Sequence, residues 1–189
     1  MKKILLMLFC CTSACGENGR TDPFHRVFSG PIKHLTVNNN NGRICIASGP
    51  ECAATVTVSP ERQACINEMN LVGETLKIEH AQTKSRGACN YEIMVPHHTE
   101  IGINTGQTQL LTIKDMGDIT IDAGQMNALV ADTRNIHINA GHADVNVNFS
   151  KIPDKAITID YSAGRGQLSL TLPATMRVFS VRPTGERRS

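Results

Sequence analysis

The chain has 189 residues and a formal net charge of +2, with no Trp, two Tyr and five Phe. Nucleic-acid binding draws on a basic track and aromatic stacking platforms, so this composition argues against it, and sugar recognition through stacked rings is disfavoured for the same reason. The charge is uneven: residues 100–160 carry four bases against eight acids, and residues 161–189 carry five bases against one acid.

The N terminus has a basic tip, Met1-Lys2-Lys3, followed by an apolar run of eight residues at 4–11. That run is too short to cross a bilayer and suits a secretory signal. It leads into Thr12-Ser13-Ala14-Cys15-Gly16, small residues before a Cys, which resembles a bacterial lipobox. Residues 1–14 are therefore expected to be a lipoprotein signal peptide, with Cys15 acylated (palmitate being one of its acyl chains) as the mature N terminus. Thr12 stands where Leu is commonest, which leaves Cys10 and Cys11 as weaker alternatives. Cleavage removes Lys2 and Lys3 and brings the net charge to 0. Residues 15–30, with Asn, Gly, Asp and Pro, read as a flexible tether. The expected location is the cell envelope, lipid-anchored. In a diderm host it is the outer membrane, because Gly16 is not an inner-membrane retention residue.

Residues 31–181 read as one domain, with 182–189 a basic, frayed tail. Strand signals dominate. Asn41-Gly42, between Leu35–Asn38 and Arg43–Ile46, is a hairpin signal. Thr55–Val58, Thr75–Ile78 and Tyr91–Val95 alternate with period two between Gly, Pro and Ser. The stretch 61–72 is expected to hold a turn or a short helix. Four cysteines remain after Cys15: Cys45, Cys52, Cys65 and Cys89. An even number in an exported chain favours disulfides. Three pairings are open; Cys45–Cys52 with Cys65–Cys89 is preferred, because Ser48-Gly49-Pro50-Glu51 can turn the first two together. Zinc is the weaker alternative, since no pair has a zinc-type spacing.

From residue 101 one phrase returns four times. It reads Ile101-Gly102-Ile103-Asn104-x-Gly106, Ile119-Thr120-Ile121-Asp122-x-Gly124, Ile136-His137-Ile138-Asn139-x-Gly141 and, more loosely, Ile157-Thr158-Ile159-Asp160 ending at Gly164. Leu35-Thr36-Val37-Asn38 looks like a fifth copy. Apolar residues two apart face the same side of a strand. The Asn or Asp tolerates left-handed backbone and suits a corner, and the Gly supplies a second special conformation. A second apolar run follows each Gly. A period near 20 with two short strands per repeat predicts stacked coils. The expected fold is all-β: a short-coil parallel β-solenoid with a partly antiparallel, disulfide-linked N-terminal cap. In such a stack Asn38, Asn104, Asp122, Asn139 and Asp160 form a corner ladder. Leu111 and Ile113 point inward one position out of step, which a bulge explains. The insertion 151–155 is expected to bulge outward, and Pro173 closes the last apolar run.

The stretch Tyr91–Pro173 resembles a family of bacterial exported adhesins, domains of unknown function related to the auto-transporter adhesin head domain. The likeness rests on a strand ending in Val95-Pro96, on the Ile-x-Ile-[Asn/Asp]-x-Gly phrases and on Leu168-Ser169-Leu170-Thr171-Leu172-Pro173. It implies a β-solenoid anchored outside the inner membrane and carries no catalytic residues.

Candidate chemistry is thin. His97 and His98 are adjacent and are expected on opposite faces of an extended chain, so they do not share a metal. His137 and His142 occupy outward positions filled elsewhere by Thr, Gln and Arg. His25, His34 and His80 are isolated. Asp115, Asp118, Asp122, Asp132, Asp144 and Asp160 are available for acid–base chemistry, yet a corner role already accounts for Asp122 and Asp160. No Gly-x-Ser-x-Gly elbow is present. No catalytic residue, metal or cofactor is expected. The expected function is a non-enzymatic, adhesin-like binding or structural module, whose partners are the membrane, through the lipid anchor, and a protein or polysaccharide ligand. The competing reading is a solenoid lyase or hydrolase acting on envelope polysaccharide.

Overall fold

The structure, a computed structural model, describes residues 23–60, 67–80, 88–151, 156–174 and 182–183. The signal segment with Cys15, Cys65 and residues 152–155 of the expected bulge lie outside them. Among the described residues all regular structure is β: β1 (Phe24–Ser29), β2 (His34–Gly49), β3 (Ala53–Pro60), β4 (Asn67–Val72), β5 (Thr75–His80), β6 (Cys89–Pro96), β7 (Glu100–Lys114), β8 (Ile119–Ala131), β9 (Ile136–Asn148), β10 (Ile159–Thr171) and β11 (Arg182–Pro183). They form one mixed, mostly parallel sheet in the order β1-β3-β6-β2-β7-β8-β9-β10-β11, with β5 also on β2 and β4 on β5.

The apolar phrases are what align the strands. Leu35, Ile101, Ile119, Ile136 and Ile159 pair in succession across β2, β7, β8, β9 and β10. Val37, Ile103, Ile121, Ile138 and Tyr161 make the neighbouring row. The second runs add a row through Ile44, Leu111, Ala128, Val145 and Leu168, and another through Ile46, Ile113, Val130, Val147 and Leu170. These side chains join one hydrophobic core, fully buried over most of its length and half-buried at β10. A one-residue slip would turn a whole row outward, so burial fixes the register. The extra residue expected before Leu111 is present as a register shift between Thr108 and Leu111. Within β8 the inward positions run Ile119 and Ile121, then Met126, Ala128 and Val130. The alternation thus changes phase around residues 122–125.

The N-terminal region adds antiparallel strands: β1 on β3, β3 on β6, and β4 on β5. The strands expected at Thr55–Val58, Thr75–Ile78 and Tyr91–Val95 are β3, β5 and β6. Several expectations need correcting. Asn41-Gly42 makes no hairpin: β2 runs through it as one 16-residue strand, because its two halves pair with β5 and β6 on one side and with β7 on the other. Residues 67–72 form strand β4 rather than helix, and the rest of 61–72 lies outside the described residues. In the tail, Arg182–Pro183 pairs in parallel with Asp160–Tyr161.

The expected Cys45–Cys52 disulfide is absent: both thiols are free and exposed. The cause is strand order. β6 lies between β2 and β3, so the turn after Gly49 does not return the chain beside Cys45. Neighbouring strands lie about 4.8 Å apart, and two strand spacings exceed the roughly 4.4–6.8 Å between Cα atoms that a disulfide needs. Cys89 is fully buried and disulfide-bonded; Cys65, its expected partner, lies outside the described residues.

Candidate functional site

Each parallel strand presents outward whatever its inward rows do not use. On the first half of β2, β7, β8, β9 and β10 one outward row runs Thr36, Gly102, Thr120, His137 and Asp160. The next runs Asn38, Asn104, Asp122, Asn139 and Ser162. Four of the five expected ladder residues are therefore in register. Asp160 is not, because Ile159 rather than Ile157 pairs with Ile136, and Asp160 stands opposite His137. With that register Gly164 follows the first Ile by the same interval as Gly106, Gly124 and Gly141. That spacing was the signal in the sequence that could have placed the fourth phrase.

The local conformations also differ from expectation. Asn38, Asn104, Asp122 and Asn139 keep ordinary φ; among the described residues the left-handed non-glycine ones are His98, Asp115 and Asp132, at φ of 66°, 57° and 50°, in the links between strands. The corner glycines are needed for close approach. A Cβ on Gly124 would lie 2.4 Å from the Gly106 carbonyl oxygen, and on Gly141 2.8 Å from that of Gly124. The left-handed turn at His98 also brings the His97 and His98 rings within 3.8 Å of one another, against the expectation of opposite faces. His97 Nδ1 lies 2.9 Å from the Asp115 carbonyl oxygen.

Most of the carboxylates are engaged with the following strand or link. Asn139 donates to Asp122 at 3.2 Å and Asn135 to Asp118 at 3.1 Å. Ser150 donates to Asp132 from its backbone N–H at 2.7 Å and from its hydroxyl at 2.9 Å. The Gln167 N–H donates to Asp144 at 3.1 Å. Asp160 lies 3.9 Å from His137 Nδ1. Among the described residues no three His, Cys, Asp or Glu side chains come together as a metal site.

Two shallow cavities of about 260 Å³ each mark this face. One lies over Gly102, where a missing side chain opens a notch between Thr36 and Thr120, with His34, Glu100 and Asp118 around it. His34 Nδ1 is 3.0 Å from the Glu100 carboxylate across it. The other lies at the corner and brings His80 of β5 beside Asn38, Asn39, Asn40 and Asn104. Sequence reasoning treated His80 as isolated and the Asn run as turn residues; the parallel pairing of β2 with β5, in which Asn38 faces Glu79, joins them. The second halves of the strands carry a different surface, on which Met94, Leu110 and Leu129 are exposed. Cys45 is exposed there beside Glu92, and burial together with that carboxylate pushes its thiol pKa up.

No family model and no curated protein matches this chain in sequence. Solved structures do match in shape. A "putative cell adhesion protein" from Clostridium sporogenes superposes with a TM-score of 0.58 at 12% identity, over 79% of this chain and 99% of the other. A "putative adhesin" from Parabacteroides distasonis reaches 0.42 at 15% identity, over 79% of this chain and 65% of the other. One from Bacteroides fragilis reaches 0.34 at 11% identity, covering 82% and 96%. At these identities the first likeness establishes the fold, and the neighbours carry the adhesin name that the resemblance of Tyr91–Pro173 implies.

Proposed function

We propose that this chain is a non-enzymatic, adhesin-like binding module built as a β-solenoid and held on the cell envelope by a lipid at Cys15. Chain reach supports the solenoid. β7 has 15 residues, about 50 Å if straight at roughly 3.3 Å per residue. The link 115–118 spans at most about 14 Å, yet Ile119 pairs in parallel with Ile101. Only a strand that bends at its change of phase brings its end back to its start. Each bent strand with its link is then one coil.

The binding reading is carried by one observation: successive outward rows form a regular polar face whose carboxylates bond the next strand or link instead of converging on a cleft. Such a face suits contact with a protein or polysaccharide. The adhesin-named fold neighbours agree with it. The anchor at Cys15 and the pairing of Cys89 with Cys65 rest on the sequence pattern.

The test is display of the full-length chain on a non-adherent bacterial host. Attachment to protein- or polysaccharide-coated surfaces should rise. His137→Glu combined with Thr120→Arg should reduce that gain with little change in Tm, since both side chains face outward. Display that adds no attachment removes the binding reading. Membrane fractionation unchanged by Cys15→Ser removes the anchor.

A further inference from the structure

Among the described residues the large apolar side chains left exposed are Val27, Val72, Met94, Leu110 and Leu129. Scattered singly they would need no explanation, but all except Val72 lie on one face. Thr55 stands between Val27 and Met94 across β1, β3 and β6. Cys45 of β2, Thr112 of β7 and Leu129 of β8 share an adjoining outward row, and Leu110 stands beside Arg43. The inward neighbours on these strands, such as Ile44, Ile93, Leu111 and Val130, are buried in the core, so the exposed set belongs to the opposite, solvent side of the sheet.

The two outward faces differ in charge as well as in polarity. The rows of the first strand halves from β2 to β10 carry Asp122 and Asp160 and no Lys or Arg. On the second halves Arg43 and Lys114 balance Glu92 and Asp144. An anionic surface therefore repels the first face and leaves the second free to approach. A second copy of the chain would need anchors, which in protein interfaces are mostly Trp, Tyr and Arg. This face offers no described aromatic: Phe24, Phe28 and Tyr161 pack against the core, and Tyr91 and Phe149 are buried. A bilayer interface takes aliphatic side chains without a matching pocket. Reach selects the same partner. From Cys15 to Phe24, the first residue of β1, the chain spans at most about 32 Å, and β1 carries Val27 at the border of this face. A lipid at Cys15 thus holds the face at high effective concentration beside the bilayer, where a few aliphatic contacts suffice. We propose that the second-half face, from Val27 to Leu129, rests on the lipid bilayer that holds Cys15 and leaves the acidic first-half face free for a ligand. The proposal rests on the reading of the chain as a lipid-anchored binding module.

The experiment reads contact with lipid in the full-length chain, labelled in detergent and reconstituted into phosphatidylethanolamine–phosphatidylglycerol vesicles. Cys52→Ser leaves Cys45, inside the face, as the exposed thiol for a fluorophore. In a second protein Cys45→Ser, Cys52→Ser and Thr120→Cys move the fluorophore to the first-half face. Quenching by brominated lipid should be several-fold stronger at position 45 than at position 120. Met94→Glu, Leu110→Glu and Leu129→Glu combined, all at exposed positions, should bring position 45 down to the level of position 120 with Tm retained. The comparison of the two positions stands even if that triple variant fails to fold. Equal quenching at both, or stronger quenching at position 120, overturns the proposal. Dimers in sedimentation that the triple variant disperses would give the face to a second copy and also overturn it. Membrane association that is lost in Cys15→Ser, with equal quenching at both positions, would sink the docked face and keep the anchor. Quenching at position 45 that survives Cys15→Ser would keep the face and remove the anchor.

Discussion

The two ends of the molecule use one kind of strand under different rules. From β7 to β10 each strand pairs in parallel with the strand that follows it in the chain, so neighbours in sequence are neighbours in space. From β1 to β6 that rule lapses: β2 pairs with β5, β6 and β7, and the antiparallel β1, β3 and β4 lie outside them. The regular half is a repeat whose stability comes from identical rows. The irregular half is a closure, in which strands of opposite direction cover an edge that a parallel stack leaves open. The cavity at the Asn corner, lined from β2, β5 and β7, lies where the two meet.

The largest expected effect breaks a row of the regular half. Ile121 is completely buried between Ile103 and Ile138. Ile121→Ala should cost about 2–5 kcal/mol, and Ile121→Asp should prevent stable folding, because its charge would be buried without a partner. A cooperative denaturation curve of near wild-type midpoint for Ile121→Asp would refute the row. Next come the glycines, which separate the halves by mechanism. Gly124 is required by the Gly106 carbonyl oxygen, whereas Gly73, in the β4–β5 turn, has φ +61° and open space around it. Gly124→Ala should cost about 1–3 kcal/mol by overpacking, and Gly124→Asn more. Gly73→Asn should be nearly neutral, since Asn tolerates the left-handed region. Equal melting temperatures for the two Asn variants would contradict this division.

A smaller effect is a dependence on pH that belongs to the closure. Burial lowers the pKa of His80 in the folded state. The unfolded chain therefore takes up this proton first as pH falls below about 6.5, and stability present above that pH is lost on acidification. His80→Gln should shrink the stability difference between about pH 7.5 and about pH 5.5. An unchanged difference would assign the acid sensitivity elsewhere. The smallest effect is expected at the two exposed thiols. Cys45→Ser and Cys52→Ser should each stay within about ±0.5 kcal/mol, and both native thiols should react with a labelling reagent without denaturant. Protection of either would contradict their free, exposed state.

These contrasts also explain what the sequence could reveal. The rows Ile101–Ile119–Ile136 were legible because each repeats a local pattern at short range. The fourth phrase was placed two residues early, since Ile157-Thr158-Ile159 imitates the motif while Tyr161 and Ser162 fill its true positions. The Asn41-Gly42 signal misled because a two-residue turn preference is local, whereas the pairing that overrides it joins Ile44 to Tyr91 and to Leu111. The Cys45–Cys52 pairing failed for the same reason, a strand arriving from far along the chain. The corner cavity was illegible because Asn39 and His80 are distant in sequence and neither belongs to a motif.

The place of β2 has a consequence for how the chain must be assembled. It lies early in the chain, yet its two edges are completed by β5 and β6 on one side and by β7 on the other. This strand therefore waits, half-paired, for segments made later, and the sheet cannot simply add its strands in order of synthesis. Contacts of such sequence separation slow folding. β2 acts as a keystone, set first and locked last, and a chain cut after Gly49 would lose the piece that joins its closure to its repeats.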